Sequence, residues 1–109
     1  MTTSLDIRSQ DLSIVHAILS AHLPPAAKVH VFGSRINGRA RRGSDLDLAI
    51  DAGRPLTRTE FLDLEDAFEE SNLPYTVDVI DLHKVNETFR QIIVPQMVLL
   101  ERKVVDSPR

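Results

Sequence analysis

The stretch VHVFGSRINGRARRGSDLDLAI, residues 29–50, determines how this chain folds. Its first four residues, Val29–Phe32, are rich in β-branched and aromatic side chains and predict a short strand. From Asp45 to Ile50 the side chains alternate with the period of two that is typical of a strand. A Gly-Ser pair ends the first strand abruptly, and the polar residues 35–43 predict a loop or a helical turn.

The flanking sequence predicts helices and further strands around this segment. Apolar residues recur at three- and four-residue spacing from Ser9 to Leu23, which predicts an amphipathic helix that the following Pro24 stops. Thr57-Arg58-Thr59-Glu60 matches a capping box and predicts the start of a second helix. The remaining predicted elements are a strand at residues 75–82, a short helix at 85–94 closed by Pro95, and a last strand at 97–100.

This order of elements predicts a small α/β (α+β) domain in which helices cover one face of a short sheet and the other face carries the chemistry. The 109 residues suit one domain over 1–109, with a core at about residues 12–101.

Composition narrows the class of protein. The chain is 42% hydrophobic and 27% charged, as in ordinary globular proteins, and no apolar run approaches the ~20 residues that span a bilayer. It contains no cysteine, which excludes disulfides and thiolate metal sites. With no signal peptide in the polar N-terminus, we expect a cytoplasmic protein. The net charge of -3 argues against a general nucleic-acid binder, although four arginines crowd one segment, at positions 35, 39, 41 and 42.

Asp45 and Asp47 are the central candidates for chemistry. Two residues apart on a strand, their side chains leave the same face, roughly 6–7 Å apart. Two such carboxylates repel each other unless a cation lies between them, and Mg²⁺ prefers oxygen ligands that it shares with water and substrate phosphates. An Asp-x-Asp pair alone is weak support, because similar pairs occur in turns and helix caps.

Gly33 and Ser34 are the candidates for binding phosphate. Glycine lets a phosphate approach the backbone closely, and the amides of a tight turn, with the Ser34 hydroxyl, can bind phosphate oxygens. The simpler interpretation is a loop connector. Neither a Walker A loop nor a dinucleotide-binding glycine pattern is present. Arg35, directly after Ser34, is the arginine best placed to contact phosphate as well.

A third carboxylate is expected if two metal ions are to lie about 3.5–4 Å apart for in-line displacement. Asp78 interrupts a β-branched run in a predicted central strand, where a charge needs a partner or a metal. Asp81 is the competitor, but it has the opposite strand parity and its simpler role is to cap the next helix. We therefore predict Asp78 as the third metal-binding and catalytic side chain.

The same residues resemble the sequence signature of a known protein family. Phe32-Gly33-Ser34-Arg35, with ten residues from Arg35 to Ser44, and then Asp45-Leu46-Asp47-Leu48 resembles the signature of the DNA polymerase β-type nucleotidyltransferase superfamily. The surrounding sequence resembles in particular the minimal nucleotidyltransferase (MNT) domains, from about Leu12 to Glu101. The resemblance implies a nucleotidyltransferase fold with a short mixed sheet and helices packed on one face.

The resemblance also implies a role for each residue of the motif. Gly33 and Ser34 would bind the nucleotide phosphates, Asp45 and Asp47 would bind Mg²⁺ (two ions are expected), and Asp78 would contact metal and help activate the attacking hydroxyl.

MNT domains are commonly antitoxins of HEPN-domain ribonuclease toxins, and family members transfer AMP from ATP to a tyrosine of the toxin. We therefore expect an antitoxin that forms a hetero-oligomer with a HEPN toxin on a separate chain and binds neither membrane nor nucleic acid directly. One alternative is an antitoxin that acts by complex formation without catalysis. Adenylylation of a small molecule such as an aminoglycoside ranks lowest, since no additional domain for such an acceptor is recognised.

Overall fold

The computed structural model of the chain describes residues 7–36 and 43–100. Its helices are α1 (Ser9–His22), α2 (Arg58–Glu69) and α3 (Glu87–Ile93), and its strands are β1 (Lys28–Phe32), β2 (Leu46–Asp51), β3 (Val77–Asp81) and β4 (Val98–Leu100). Two 3₁₀ turns, Gly33–Arg35 and Val94–Gln96, follow β1 and α3. None of the helices within the described residues is long and apolar enough to cross a membrane.

The four strands form one mixed sheet in the order β3-β2-β1-β4. β1 is antiparallel to both β2 and β4, whereas β2 and β3 are parallel and are connected through α2. The predicted strands are therefore all present, but β3 begins two residues later than predicted, at Val77. The mixed sheet confirms the expected fold class.

The main core lies on the face of the sheet covered by α1 and α2. Alternate strand residues point into it, and helix residues at three- and four-residue spacing meet them from above. The fully buried members are Val15 and Leu19 of α1, Val29 and Val31 of β1, Leu46, Leu48 and Ile50 of β2, and Leu64 of α2. The two longer helices thus share one face, as the sequence predicted.

The start of α2 follows the predicted capping box. The Glu60 amide donates to the Thr57 hydroxyl at 3.1 Å, and the Thr57 amide donates to the Glu60 carboxylate at 2.8 Å. These two hydrogen bonds satisfy two amides at the N-terminal end of α2. They fix where the helix begins in the connection between β2 and β3.

The short helix α3 departs from the prediction that helices lie on one face only. Its buried residue Ile93 packs with Ala49 of β2 and against Phe32 and Ile80, which point to the face opposite α1 and α2. These three strand residues are apolar, and packing of the seven-residue helix α3 removes their surface from water. α3 packs against Ala49 and Ile80. Asp47 and Asp78 lie two residues before them on β2 and β3, on the same face of the sheet.

Candidate active site

Asp47 and Asp78 lie side by side in the middle of the sheet. They are direct partners in the parallel pairing of β2 with β3, so their side chains leave the same face from strands about 4.8 Å apart. Asp78 is exposed and Asp47 is partly buried. Sequence reasoning placed both on one face, and the pairing of the strands brings them next to each other.

Asp45 adds a third negative charge to this pair. It precedes β2 by one residue, is exposed, and stands two residues before Asp47. Burial of the Asp47 carboxyl, with the negative charges of Asp78 and then Asp45, raises the pKa of Asp47 to about 6. Both neighbouring carboxylates are therefore close enough to act electrostatically on the partly buried Asp47.

Gly33 approaches this group from the neighbouring strand. Phe32, the last residue of β1, pairs with Asp47, so the 3₁₀ turn that begins at Gly33 starts beside the Asp47 carboxylate. Gly33 has a φ of +84°, and a Cβ atom there would overlap the Asp47 side chain. Both the backbone conformation and the space favour glycine. Ser34, in the same turn, is partly exposed.

Arg35, for which the sequence predicted a phosphate contact, has partners within the protein. Its side chain is buried, with Nε and Nη2 both donating to the Ser44 carbonyl oxygen at 3.0 and 2.8 Å. Its guanidinium carbon stacks 3.8 Å from the centre of the Tyr75 ring. A buried guanidinium must satisfy its donors, and Arg35 does so on the backbone before Asp45. The contact of Arg35 with phosphate stays a prediction. Arg39, Arg41 and Arg42 lie outside the described residues.

Asp81 also has a role that the sequence did not predict. It is buried on the core face, and its carboxylate accepts hydrogen bonds from the Leu56 amide at 2.7 Å and the His83 amide at 2.9 Å. The helix that follows is capped instead by Asn86, which accepts from the Phe89 amide. The predicted cap at Asp81 is therefore wrong, while its predicted separation from Asp78 by strand parity agrees with the structure.

Sequence reasoning missed the support around Arg35. Tyr75 donates its hydroxyl to Asp11 at 3.3 Å, and Asp11, which is buried, also pairs with Arg8 at 3.2 Å. These residues come from distant parts of the chain, so no local pattern links them. The only local sign of this arrangement was Asp11 itself, an acidic residue near the apolar face of the predicted first helix.

The three carboxylates suit a divalent cation that brings further ligands of its own. Within residues 7–36 and 43–100, no three His, Asp or Glu side chains are spaced to enclose a metal ion. Carboxylates are nevertheless the hard oxygen donors that Mg²⁺ takes, and Mg²⁺ usually completes its shell with water and phosphate oxygens. A cation would also favour the ionised form of Asp47, whose pKa is raised first by burial and then by the charges of Asp78 and Asp45. The residues present therefore fit a shared metal–nucleotide site.

The fold and this site define a nucleotidyltransferase. A family model described as polymerase beta, nucleotidyltransferase, matches residues 14–104, and the chain belongs to that family. It is 44% identical over 106 residues to the probable protein adenylyltransferase MntA of Haemophilus influenzae, across 95% of this chain and 92% of that protein.

Two solved structures are similar in fold. A crystal structure of a toxin–antitoxin with AMP-PNP superposes with a TM-score of 0.68 and 26% identity, over 84% of this chain and 73% of that chain. A mutant of the toxin–antitoxin MntA-HpeT matches with a TM-score of 0.65 over 84% of this chain and 72% of that chain, and its 23% identity supports the fold alone.

Proposed function

We propose that this chain is an antitoxin that transfers AMP from ATP to a tyrosine hydroxyl of a HEPN-domain toxin and thereby neutralises it. The observation that carries the proposal is the pairing of Asp47 with Asp78, beside Asp45 and against Gly33. The similarity to a probable protein adenylyltransferase supports a protein acceptor, and the similarity to toxin–antitoxin structures supports a toxin partner in a hetero-oligomer. The reaction would take place in the cytoplasm, where ATP and Mg²⁺ are available.

Different residues of this site would bind the metal and the nucleotide phosphates. Asp45 and Asp47, with Asp78, would hold Mg²⁺, and two ions suit the three carboxylates. When bound, the metal neutralises charge on the triphosphate. The Gly33 turn and the Ser34 hydroxyl would hold phosphate oxygens close to Asp47, because glycine leaves that approach open.

Asp78 is the residue best placed to serve the acceptor. It is exposed on the edge strand β3, so a hydroxyl from another protein can reach it. The tyrosine oxygen forms a bond to the α-phosphorus as the bond to the β-phosphate breaks, pyrophosphate leaves, and Asp78 accepts the hydroxyl proton. Most of the rate enhancement would come from orientation and from charge stabilisation.

The proposal is tested by incubating the chain and its toxin with ATP labelled at the α-phosphate and with Mg²⁺. We expect label on the toxin, and none when the acceptor tyrosine of the toxin is replaced by phenylalanine. An Asp63→Asn variant, which removes one carboxylate from the exposed side of α2, is the matched control and should label the toxin normally. A toxin that is neutralised without acquiring label would disprove the transfer reaction.

The same assay separates catalysis from inhibition by binding. The double variant Asp45→Asn with Asp47→Asn keeps the shape of the site but removes two negative charges. We expect it to bind the toxin without labelling or neutralising it. Full neutralisation by the double variant would show that complex formation suffices.

A further inference from the structure

Arg35 binds the residue that immediately precedes the first carboxylate of the candidate active site. Only 7% of the residue is exposed, and two of its nitrogens donate to the carbonyl oxygen of Ser44, at 3.0 and 2.8 Å. Ser44 immediately precedes Asp45, so the peptide bond that carries this carbonyl is also the one that carries the Asp45 amide. A charged fork that donates twice to one oxygen fixes that peptide more firmly than a single neutral hydrogen bond would.

The guanidinium is itself held from its other side. It stacks 3.8 Å from the centre of the Tyr75 ring, and the Tyr75 hydroxyl donates to Asp11 of α1 at 3.3 Å. Asp11 is 3% exposed and also bonds to Arg8. Through Arg35 and Tyr75, the residue before Asp45 is therefore connected to the segment before β3 and to helix α1.

The backbone is also fixed just after Asp45. The Leu46 amide donates to the carbonyl oxygen of Thr76 at 2.9 Å. Asp45 thus stands between two restrained peptide groups, one held by Arg35 and one held by the segment before β3. Its own side chain is exposed, and its negative charge and that of Asp47 repel each other. Without such restraint, an exposed carboxylate on a loop would turn away from that repulsion.

We propose that Arg35 is a positioning residue that keeps Asp45 facing Asp47 and Asp78 by fixing the Ser44–Asp45 peptide, with Tyr75 supporting the guanidinium. This inference rests on the proposed function, since it assigns to Asp45 a part in metal-dependent nucleotide binding. It differs from a direct contact between Arg35 and phosphate in one respect. A positioning role affects only the binding that depends on metal, whereas a phosphate contact also affects binding without metal.

Arg35→Lys is the decisive variant because it keeps a positive charge and an aliphatic stem but loses the planar fork. Binding of a fluorescent ATP analogue is measured over a range of Mg²⁺ concentrations and again in EDTA. We expect the variant to need about tenfold more Mg²⁺ for half-maximal binding, as is typical when a residue that orients a metal ligand is lost. Binding in EDTA should be unchanged.

Arg54→Lys is the matched control, since Arg54 also donates through a planar fork, to the carboxylate of Glu60 at the surface. It should leave the Mg²⁺ requirement close to that of the original chain. Hydrogen exchange of the amides in residues 43–47 provides a reading that does not involve nucleotide. We expect faster exchange there in Arg35→Lys and unchanged exchange in Arg54→Lys.

Three results would overturn the inference. The first is a folded Arg35→Lys variant with an unchanged Mg²⁺ requirement, and the second is an equal loss of binding in EDTA. Should Arg35→Lys not fold, Tyr75→Leu removes the supporting ring instead and must shift the Mg²⁺ requirement in the same direction; no shift is the third. If the original chain binds no nucleotide, the proposed function fails, and exchange at residues 43–47 still decides whether Arg35 holds this loop.

Discussion

Two separate features require glycine at position 33: the backbone conformation and the close approach of Asp47. Its φ is +84°, and an added Cβ would overlap the Asp47 carboxylate. We expect Gly33→Ala to lower the free energy of unfolding by about 1–3 kcal/mol and to weaken nucleotide binding, because Asp47 must move. Both effects are measured by chemical denaturation and by a binding titration.

Gly53→Ala is the control for Gly33→Ala. Gly53 has a similar φ of +80°, but an added Cβ there meets nothing within 4 Å. It should show the cost of the backbone conformation without the loss of nucleotide binding. Equal binding losses in the two variants would show that the contact of Gly33 with Asp47 has no special importance.

The raised pKa of Asp47 predicts a pH dependence of stability. The pKa of the folded-state carboxyl is raised from 3.8 to about 6 by burial and by the charges of Asp78 and Asp45. The folded chain therefore keeps a proton on Asp47 that the unfolded chain has released, so the contribution of Asp47 to the free energy of unfolding falls as the pH rises from about 4 to 6 and stays lower above that range. We expect Asp47→Asn to remove this slope and to raise the Tm at pH 7 by a few degrees.

Thermal unfolding in EDTA at several pH values measures this effect. The control Asp63→Asn removes a carboxylate from the exposed side of α2 and should keep the slope. A slope that persists in Asp47→Asn would mean that another group causes it. The same proton competes with metal, so Mg²⁺-dependent nucleotide binding should strengthen as the pH rises through about 6.

At the scale of the element, β3 carries two aspartates with opposite tasks. Asp78 is exposed beside Asp47, while Asp81 is buried and accepts hydrogen bonds from the amides of Leu56 and His83. We expect Asp81→Ala to lower the free energy of unfolding by about 2–4 kcal/mol, since two amides lose their acceptor. Asp78→Ala should change stability little but reduce toxin labelling by about 10²–10⁴-fold if Asp78 is the general base.

Each variant is the control for the other. Stability from denaturation and transfer rate per folded molecule are measured on both, so a general weakening of β3 would appear as parallel losses. Parallel losses would contradict the separation of roles along this strand.

The elements also differ in how well local sequence predicted them. The capping box at Thr57 and Glu60 formed as predicted, because all its contacts lie within four residues. The predicted side of the sheet was wrong for α3, because that side depends on Ala49, Phe32 and Ile80 meeting on one face from three strands. The start of β3 was also misplaced, since Tyr75 instead supports Arg35.

At the scale of the whole molecule, the proposed site predicts stabilisation by nucleotide only when metal is present. A ligand at about 100 times its Kd stabilises the folded state by about 2.7 kcal/mol. For a domain of this size we expect Mg²⁺ with ATP to raise the Tm by about 10 °C or more. ATP in EDTA should give much less, and the double variant Asp45→Asn with Asp47→Asn should not respond. An equal Tm rise without metal would contradict a carboxylate-held cation.

The sequence by itself was enough to predict the α/β class, the order of helices and strands, and the grouping of Asp45, Asp47 and Asp78 beside Gly33. Those features follow from residue spacing, turn chemistry and strand parity, which act over a few neighbouring residues, and from the spacing of one motif. Only the tertiary structure decided that Arg35 binds the Ser44 carbonyl, that Asp81 ties β3 to the loop before α2, and that α3 covers the far face. These contacts join residues far apart in the chain, and a buried donor or acceptor is satisfied by whichever partner the fold brings within reach.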